Sequence, residues 1–432
     1  MSEGLNNWLL INHLDSGEQG TLSAITPKGD QFITTPLTSS SVSGLTHSPW
    51  FLGLLKDTPQ KSQNIILFDP ESKTITLTDQ IPKDAYPAYS YKDAINNRIW
   101  FMNDGDKDNG NCELNCNGNG STVTIIDMGD GKNTPKHLKT LCVGSGHHVT
   151  TFIEPTNDFP NLPKVAYVSN LLSGSIHVVG NDESDSENFL NIIDTINLCE
   201  PEKEKDGNKG IPNNAFPHGK QISNHTGKVY SLNNGYGTVA VINPETHEIE
   251  SRIDLKGCSN LLLSPCGKFF IGKGANRKTN EAHVLGRLSV VDVVSQEVLS
   301  EEDIEDFYPS TYRFNPEGNK LYVTSAATGK GAQKDNLKIN TLYIYDVSHL
   351  PKMTLIKTLE VGNADCGRRP IAFNINGSAK GSAKRVFIPN PTDATLTILD
   401  GDNDTIIDTL TIAEHSGNEF NFSFWQSSIY GA

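Results

Sequence analysis

Short runs of alternating apolar and polar residues recur along the chain, each broken by a turn. Segments such as T-V-A-V-I (238–242) and T-L-T-I-L (395–399) alternate with a period of two. That period predicts strands whose faces differ in environment. The turns that follow, N-P-E-T (243–246) and D-G-D-N (400–403), carry residues suited to tight reversals. One module repeats: an apolar strand ending in a polar residue, a loop, a strand ending in Asp or Asn, a turn, and a last strand. Eight copies occur, at 8–35, 51–77, 99–131, 165–180, 229–249, 269–298, 321–349 and 386–407. A further short strand precedes most copies, as in AYPAYSY (85–91), HHVTTF (147–152), HGKQIS (218–223), STYRFNP (310–316) and RRPIAFN (368–374).

Four antiparallel strands per unit, repeated along the chain, predict an all-β fold, a β-propeller. Residues 1–432 read as a single propeller domain. The first copy lacks a leading strand, and NEFNFSFWQ (418–426) is a strand with no successor. Pairing these N- and C-terminal segments in one blade would close the ring and remove its free edges. Eight copies predict eight blades. Seven is the alternative if 51–77 is an irregular insertion, because its leading strand, near 42–46, is weak.

This topology sorts the polar residues by position. With strands A to D running from axis to rim, the D-to-A connections and B-to-C loops share one face, here the top. His147, His148 and His218 fall at strand-A starts, at the top and near the axis. His415 falls in the last D-to-A connection and His283 in a B-to-C loop. Tyr86, Arg368 and Arg369 stand at other strand-A starts. Most other histidines fall at bottom turns or the rim, where structural roles are expected.

Imidazole is a common metal ligand, and neighbouring inner strands are close enough to share an ion. His147, His148, His218, His283 and His415 are therefore the candidate metal ligands. Guanidinium groups bind carboxylate or phosphate in a bidentate fashion. Arg368 and Arg369, with Tyr86, are accordingly candidates to orient a small, anionic substrate, and His218 is a candidate general base. In the loop 104–120, Asp104, Asp106 and Asp108 imitate calcium-loop spacing. The glycine comes one place late and no Glu follows at the twelfth position, which leaves Ca2+ there as an alternative to a solvated loop.

Composition narrows the function classes. Net charge is −15, with 36 Lys+Arg against 51 Asp+Glu. A nucleic-acid partner needs a positive footprint, so none is expected. No apolar run is long enough for a membrane-spanning helix, and no signal peptide is visible. The chain as written reads as cytoplasmic, or as periplasmic if it is a mature form. Of seven cysteines, only Cys112 and Cys116 are close in sequence, where a local disulfide is one alternative.

LYVTS followed by TLYIYD, and TLTILDGDNDTIIDTL, resemble the YVTN repeat, whose family forms seven- or eight-bladed propellers. The pair His147–His148 and the triplet Pro217-His218-Gly219 resemble motifs in the copper-binding propellers of nitrous oxide reductases and thiocyanate dehydrogenases. That resemblance implies a metal-dependent oxidoreductase holding one or more copper ions, with a small-molecule substrate and an electron-transfer partner. The other ligands of those families are not recovered. Propeller lactonases carry P-H and R-H motifs at strand-A starts, and the same ring resembles theirs, which implies a hydrolase. A non-catalytic propeller that binds a partner by its top face is the remaining alternative.

Overall fold

The computed structural model describes side chains at 89–103, 116, 121–129, 133–146, 149–365, 369–373 and 384–412. It describes strand backbone alone within 9–88, at 147–148, at 374 and within 417–430. Eight antiparallel sheets follow one another in chain order, seven of four strands and one of five. The short strand Ser41–Gly44 is present and pairs with Trp50–Leu54, so the second copy is a blade and the count is eight. Strand Leu9–Asp15 pairs antiparallel with Gly417–Phe424, placing Leu9 opposite Phe424 and Leu14 opposite Glu419. The ring is therefore closed by the two ends of the chain. Strand Ile429–Tyr430 then pairs with Ala372–Asn374 of the preceding blade and gives that sheet its fifth strand.

Among the described residues, blades 4 to 7 each pack between two others, and this explains their hydrophobic pattern. A strand near the middle of a blade packs on both faces. Val165–Asn170 is buried at all six positions, as is Arg98–Asn103. The rim strand Ile192–Asn197 is exposed at every position but one. Between blades 4 and 5, Tyr167, Ile176 and Val178 meet Val229, Ala240 and Ile242. Between blades 5 and 6, Tyr230, Val239 and Val241 meet Leu261, Phe270 and Val291. Between blades 6 and 7, Ile271, Leu288 and Val290 meet Tyr312, Leu321 and Val323. Apolar burial of this kind contributes about 25 cal/mol per Å² removed from water.

Polar side chains stitch the same interfaces. Lys220 Nζ in blade 5 donates to Val149 O (3.2 Å) and to Ser169 Oγ (2.8 Å) in blade 4. Tyr312 of blade 7 donates its hydroxyl to Ile271 O in blade 6 (2.9 Å). A disulfide joins Cys116 to Cys142, with 5.5 Å between Cα atoms. The local Cys112–Cys116 alternative is thereby corrected, because Cys142 closes blade 3 beside the loop that carries Cys116.

Candidate functional site

The inner strands open irregularly at the top. Register breaks occur between Pro87 and Tyr89, His147 and Thr150, Pro217 and Gly219, and Pro309 and Tyr312. A bulge adds a residue to one strand, bends it and re-aims its side chains. His148 and His218 lie within two of these bulges, and His147 pairs with Asn170 at the edge of one. Simple alternation therefore does not set the directions of the His147 and His148 rings. Their side chains, together with Tyr86, Arg368, His415, Asp104, Asp106 and Asp108, lie outside the described residues.

His218 is half-buried, and its Nδ1 lies 2.6 Å from Ser259 O. A carbonyl only accepts, so Nδ1 carries the proton and the basic lone pair falls on Nε2. The contact ties blade 5 to the inner connection of blade 6. Gly219 follows because the backbone runs close to that blade: an added Cβ would stand 2.9 Å from Asn260 Oδ1 and 3.0 Å from Leu261 N. Lys220, next in line, is wholly buried, and desolvation holds its pKa well below the ordinary lysine value.

Arg369 is fully buried. Its Nε donates to Pro389 O (3.0 Å) and its guanidinium to Ile339 O (2.9 Å), Gly362 O and Asn390 Oδ1. These partners make it a brace between blades 7 and 8. A substrate-orienting role from the channel does not fit that burial. Asn390 ends the second strand of its blade and donates to Thr395 and Thr397 on the next (3.0 and 2.8 Å). The equivalent residues of blades 3, 4 and 5 are Asn103, Asn170 and Asn233. Among the described residues, no side-chain or main-chain group bonds their buried Oδ1 atoms. Arg369 is the group that meets this asparagine, Asn390, in blade 8.

His283 occupies a different place. It lies in the B-to-C loop of blade 6, and its Nδ1 is 2.9 Å from Oδ1 of Asp306, which follows the rim strand Val298–Glu305. His218 belongs to the innermost strand level. His283 instead bonds a residue just past the rim strand of blade 6. Among the described residues, His218 and His283 meet different partners, Ser259 O and Asp306. His283, Glu305 and Asp306 do converge: one ligand atom from each lies within 4.8 Å of the others. One imidazole with two carboxylates is an oxygen-rich donor set. It suits zinc, manganese or calcium and does not fit a histidine-rich copper cluster.

The dyad is held firmly. Asp306 adopts a left-handed backbone (φ 56°). It donates its N–H to Val284 O (2.8 Å) and accepts from Lys338 N–H (2.9 Å). With Asp306 as acceptor, Nδ1–H of neutral His283 is the donor and Nε2 keeps the lone pair. The side chain is 42% exposed, so that lone pair is within reach of a ligand.

Beside the dyad lies a cavity of about 420 Å³ on the same face. Leu285 and Arg287 on one strand and Asp303 on the next form part of its wall. Leu285 pairs with Glu305, and Arg287 pairs with Asp303. His283 and Asp306 thus lie within two or three residues of the wall, roughly 7–10 Å along strands that rise about 3.3 Å per residue. Lys256, Arg277, Lys278 and Lys330 complete the basic lining. Asp303 bonds Arg287 through both carboxylate oxygens (2.7 and 2.9 Å), and that hydrogen bonding holds its carboxyl below the usual range. Sequence reading did not single out this cavity or Asp306. The available signal was the placement of Lys256, Arg277, Lys278 and Lys330 in top-face connections of an acidic chain.

No family model and no curated protein sequence matches the chain. Solved structures of similar shape do. The dihydro-heme d1 dehydrogenase NirN superposes with a TM-score of 0.59 at 11% identity, over 98% of this chain and 76% of that one. Apo AztD from Citrobacter koseri gives 0.53 at 15%, over 99% and 98%. The periplasmic gluconolactonase PpgL from Pseudomonas aeruginosa gives 0.51 at 11%, over 96% and 98%. At these identities the likeness is one of fold.

Proposed function

We propose that the protein is a lactonase-like hydrolase that opens the ring of a small lactone on the top face of blade 6. The observation that carries this reading is the His283–Asp306 contact of 2.9 Å. A base oriented by a carboxylate, with its other nitrogen accessible, is the arrangement general-base hydrolysis requires. Nε2 of His283 takes a proton from water, the hydroxide forms a bond to the lactone carbonyl carbon, and the ring C–O bond breaks. The departing alkoxide takes up a proton, so one water is consumed and one hydroxy acid is formed. The basic side chains nearby favour the anionic product. The fold likeness to a gluconolactonase agrees with this choice of substrate and does not establish it.

The test is proton release from glucono-δ-lactone at constant pH. His283→Ala is expected to lower turnover about 100-fold or more, as loss of a general base does. Asp306→Asn should lower kcat with little change in KM. Turnover no greater than spontaneous hydrolysis, over a panel of sugar and aromatic lactones, would reject the reading.

A second reading is favoured by the convergence of His283, Glu305 and Asp306. The same side chains would hold a divalent cation instead of serving as a base and its support. Metal analysis of protein exposed to zinc, manganese or calcium separates the two. Stoichiometric metal lost in Glu305→Gln supports the cation, and metal-independent turnover supports the base. Copper-dependent oxidoreduction, as expected from the sequence, would rest on His147, His148, His218, His283 and His415, with Tyr86, Arg368 and Arg369.

A further inference from the structure

We infer that the cavity between blades 5, 6 and 7 is a binding site for a small organic molecule bearing at least two negative charges, as phosphate or carboxylate. Five basic residues converge on about 420 Å³: Lys256, Arg277, Lys278, Arg287 and Lys330. They do so in a chain of net charge −15. The one acidic residue in the lining, Asp303, is already engaged by Arg287. Among the described residues, Lys256, Lys278 and Lys330 have no carboxylate within ion-pair distance. The Arg277 guanidinium lies over the Tyr308 ring at 5.6 Å and has no carboxylate partner either. Converging unpaired cations repel one another, and an anion placed among them relieves that cost.

The arrangement is prebuilt. Arg277 and Lys278 lie on the B-to-C loop of blade 6, and Lys330 lies on that of blade 7. One buried amide fixes both loops. Gln333 is 2% exposed and stands in the single helical turn Gln333–Asn336. Its Nε2 donates to Arg277 O (3.1 Å) and Asn280 O (2.6 Å), and its Oε1 accepts from Lys330 N–H (3.1 Å). Asn336 adds a bond to Ala282 O (2.9 Å). Side chains held this way lose less freedom on binding, which raises affinity.

Size and surroundings define the ligand. The volume is that of a small-molecule pocket. Leu285 and Ala275 supply an apolar wall for an organic body. The adjoining hollow is lined by Asp254 and Glu301 along with Lys256 and Arg287, so the positive region is local and does not extend into a track for a nucleic-acid strand. This inference goes beyond ring hydrolysis and does not depend on it, because its probes contain no lactone or carboxylic ester bond.

Calorimetric titration at low ionic strength tests it, with glucose 6-phosphate, citrate and glucose as separate probes. Saturable binding of glucose 6-phosphate or citrate, weakened by added salt, with glucose silent, is the expected result. The stronger of the two anions identifies phosphate or carboxylate as the preferred group. Lys278→Ala and Lys330→Ala should each weaken binding about tenfold, the usual worth of a charge-assisted contact. Gln333→Ala should weaken it while leaving the far-ultraviolet spectrum unchanged, and Lys352→Ala, remote from the cavity, should have no effect. No saturation by either anion, or equal binding by wild type and the double variant K278A/K330A, would overturn the inference. Retained anion binding in a chain that hydrolyses no lactone would reject the catalytic reading alone.

Discussion

Single residues show how burial decides between candidates of the same chemical type. Arg369 resembled a substrate anchor because a guanidinium near the axis of an acidic protein suggests anion binding. Its solvent exposure is 0% and its donors meet main-chain carbonyls and Asn390. Arg369→Ala should therefore destabilise the fold by about 3–5 kcal/mol, the range for truncating large buried side chains. A chemical-denaturation midpoint would show this, and an unchanged midpoint would return the residue to the list of substrate contacts. Lys220 gives a pH-dependent counterpart. Its folded pKa lies well below 10.5 because burial disfavours the charged form. The folded state then binds fewer protons than the unfolded one, so stability rises with pH from that depressed value up to 10.5. Lys220→Met should flatten this slope in urea titrations run across that window. A slope equal to wild type would mean that another group titrates there.

At the scale of the element, inner-strand starts and outer loops divide the work. Register breaks occur at four inner-strand starts, at positions that include His148 and His218. Strand alternation was legible in the sequence, but a bulge depends on how two strands register and leaves no periodic mark. Gly219 was legible as part of P-H-G, and its reason is the backbone of blade 6 beside it. Gly219→Ala should cost stability, because the Cβ meets Leu261 N at 3.0 Å and a main-chain atom cannot swing away. The disulfide belongs to the same scale. Cys116 and Cys142 enclose a separation of 26 residues, for which chain-entropy arguments give about 3–4 kcal/mol. Cys142→Ser, or reduction of the wild type, should lower the unfolding midpoint accordingly. Equal midpoints for oxidised and reduced protein would show that the bond adds nothing to stability.

The whole molecule is a ring closed by its two ends. Strand Gly417–Phe424 completes the blade that begins at Leu9–Asp15, and Ile429–Tyr430 extends the blade before it. Removing residues 417–432 should expose edges on both sides of the closure. Truncated protein is expected to show a lower melting temperature and concentration-dependent association in sedimentation. A monomer of unchanged melting temperature would mean that closure is dispensable. Strand identity, blade count and closure could be read from the sequence because each follows from local alternation, turn residues and repetition. The assignment of rim and bottom histidines likewise followed from topology, as His247, paired with Tyr167 at 2.6 Å, illustrates. Which polar groups face one another did not follow. His283 and Asp306 are 23 residues apart, and Lys256 and Lys330 come from different blades. Their convergence depends on blade packing and on a buried glutamine that joins two loops. Local pattern determined the propeller, whereas the meeting of distant side chains was decided only when the blades closed around the axis.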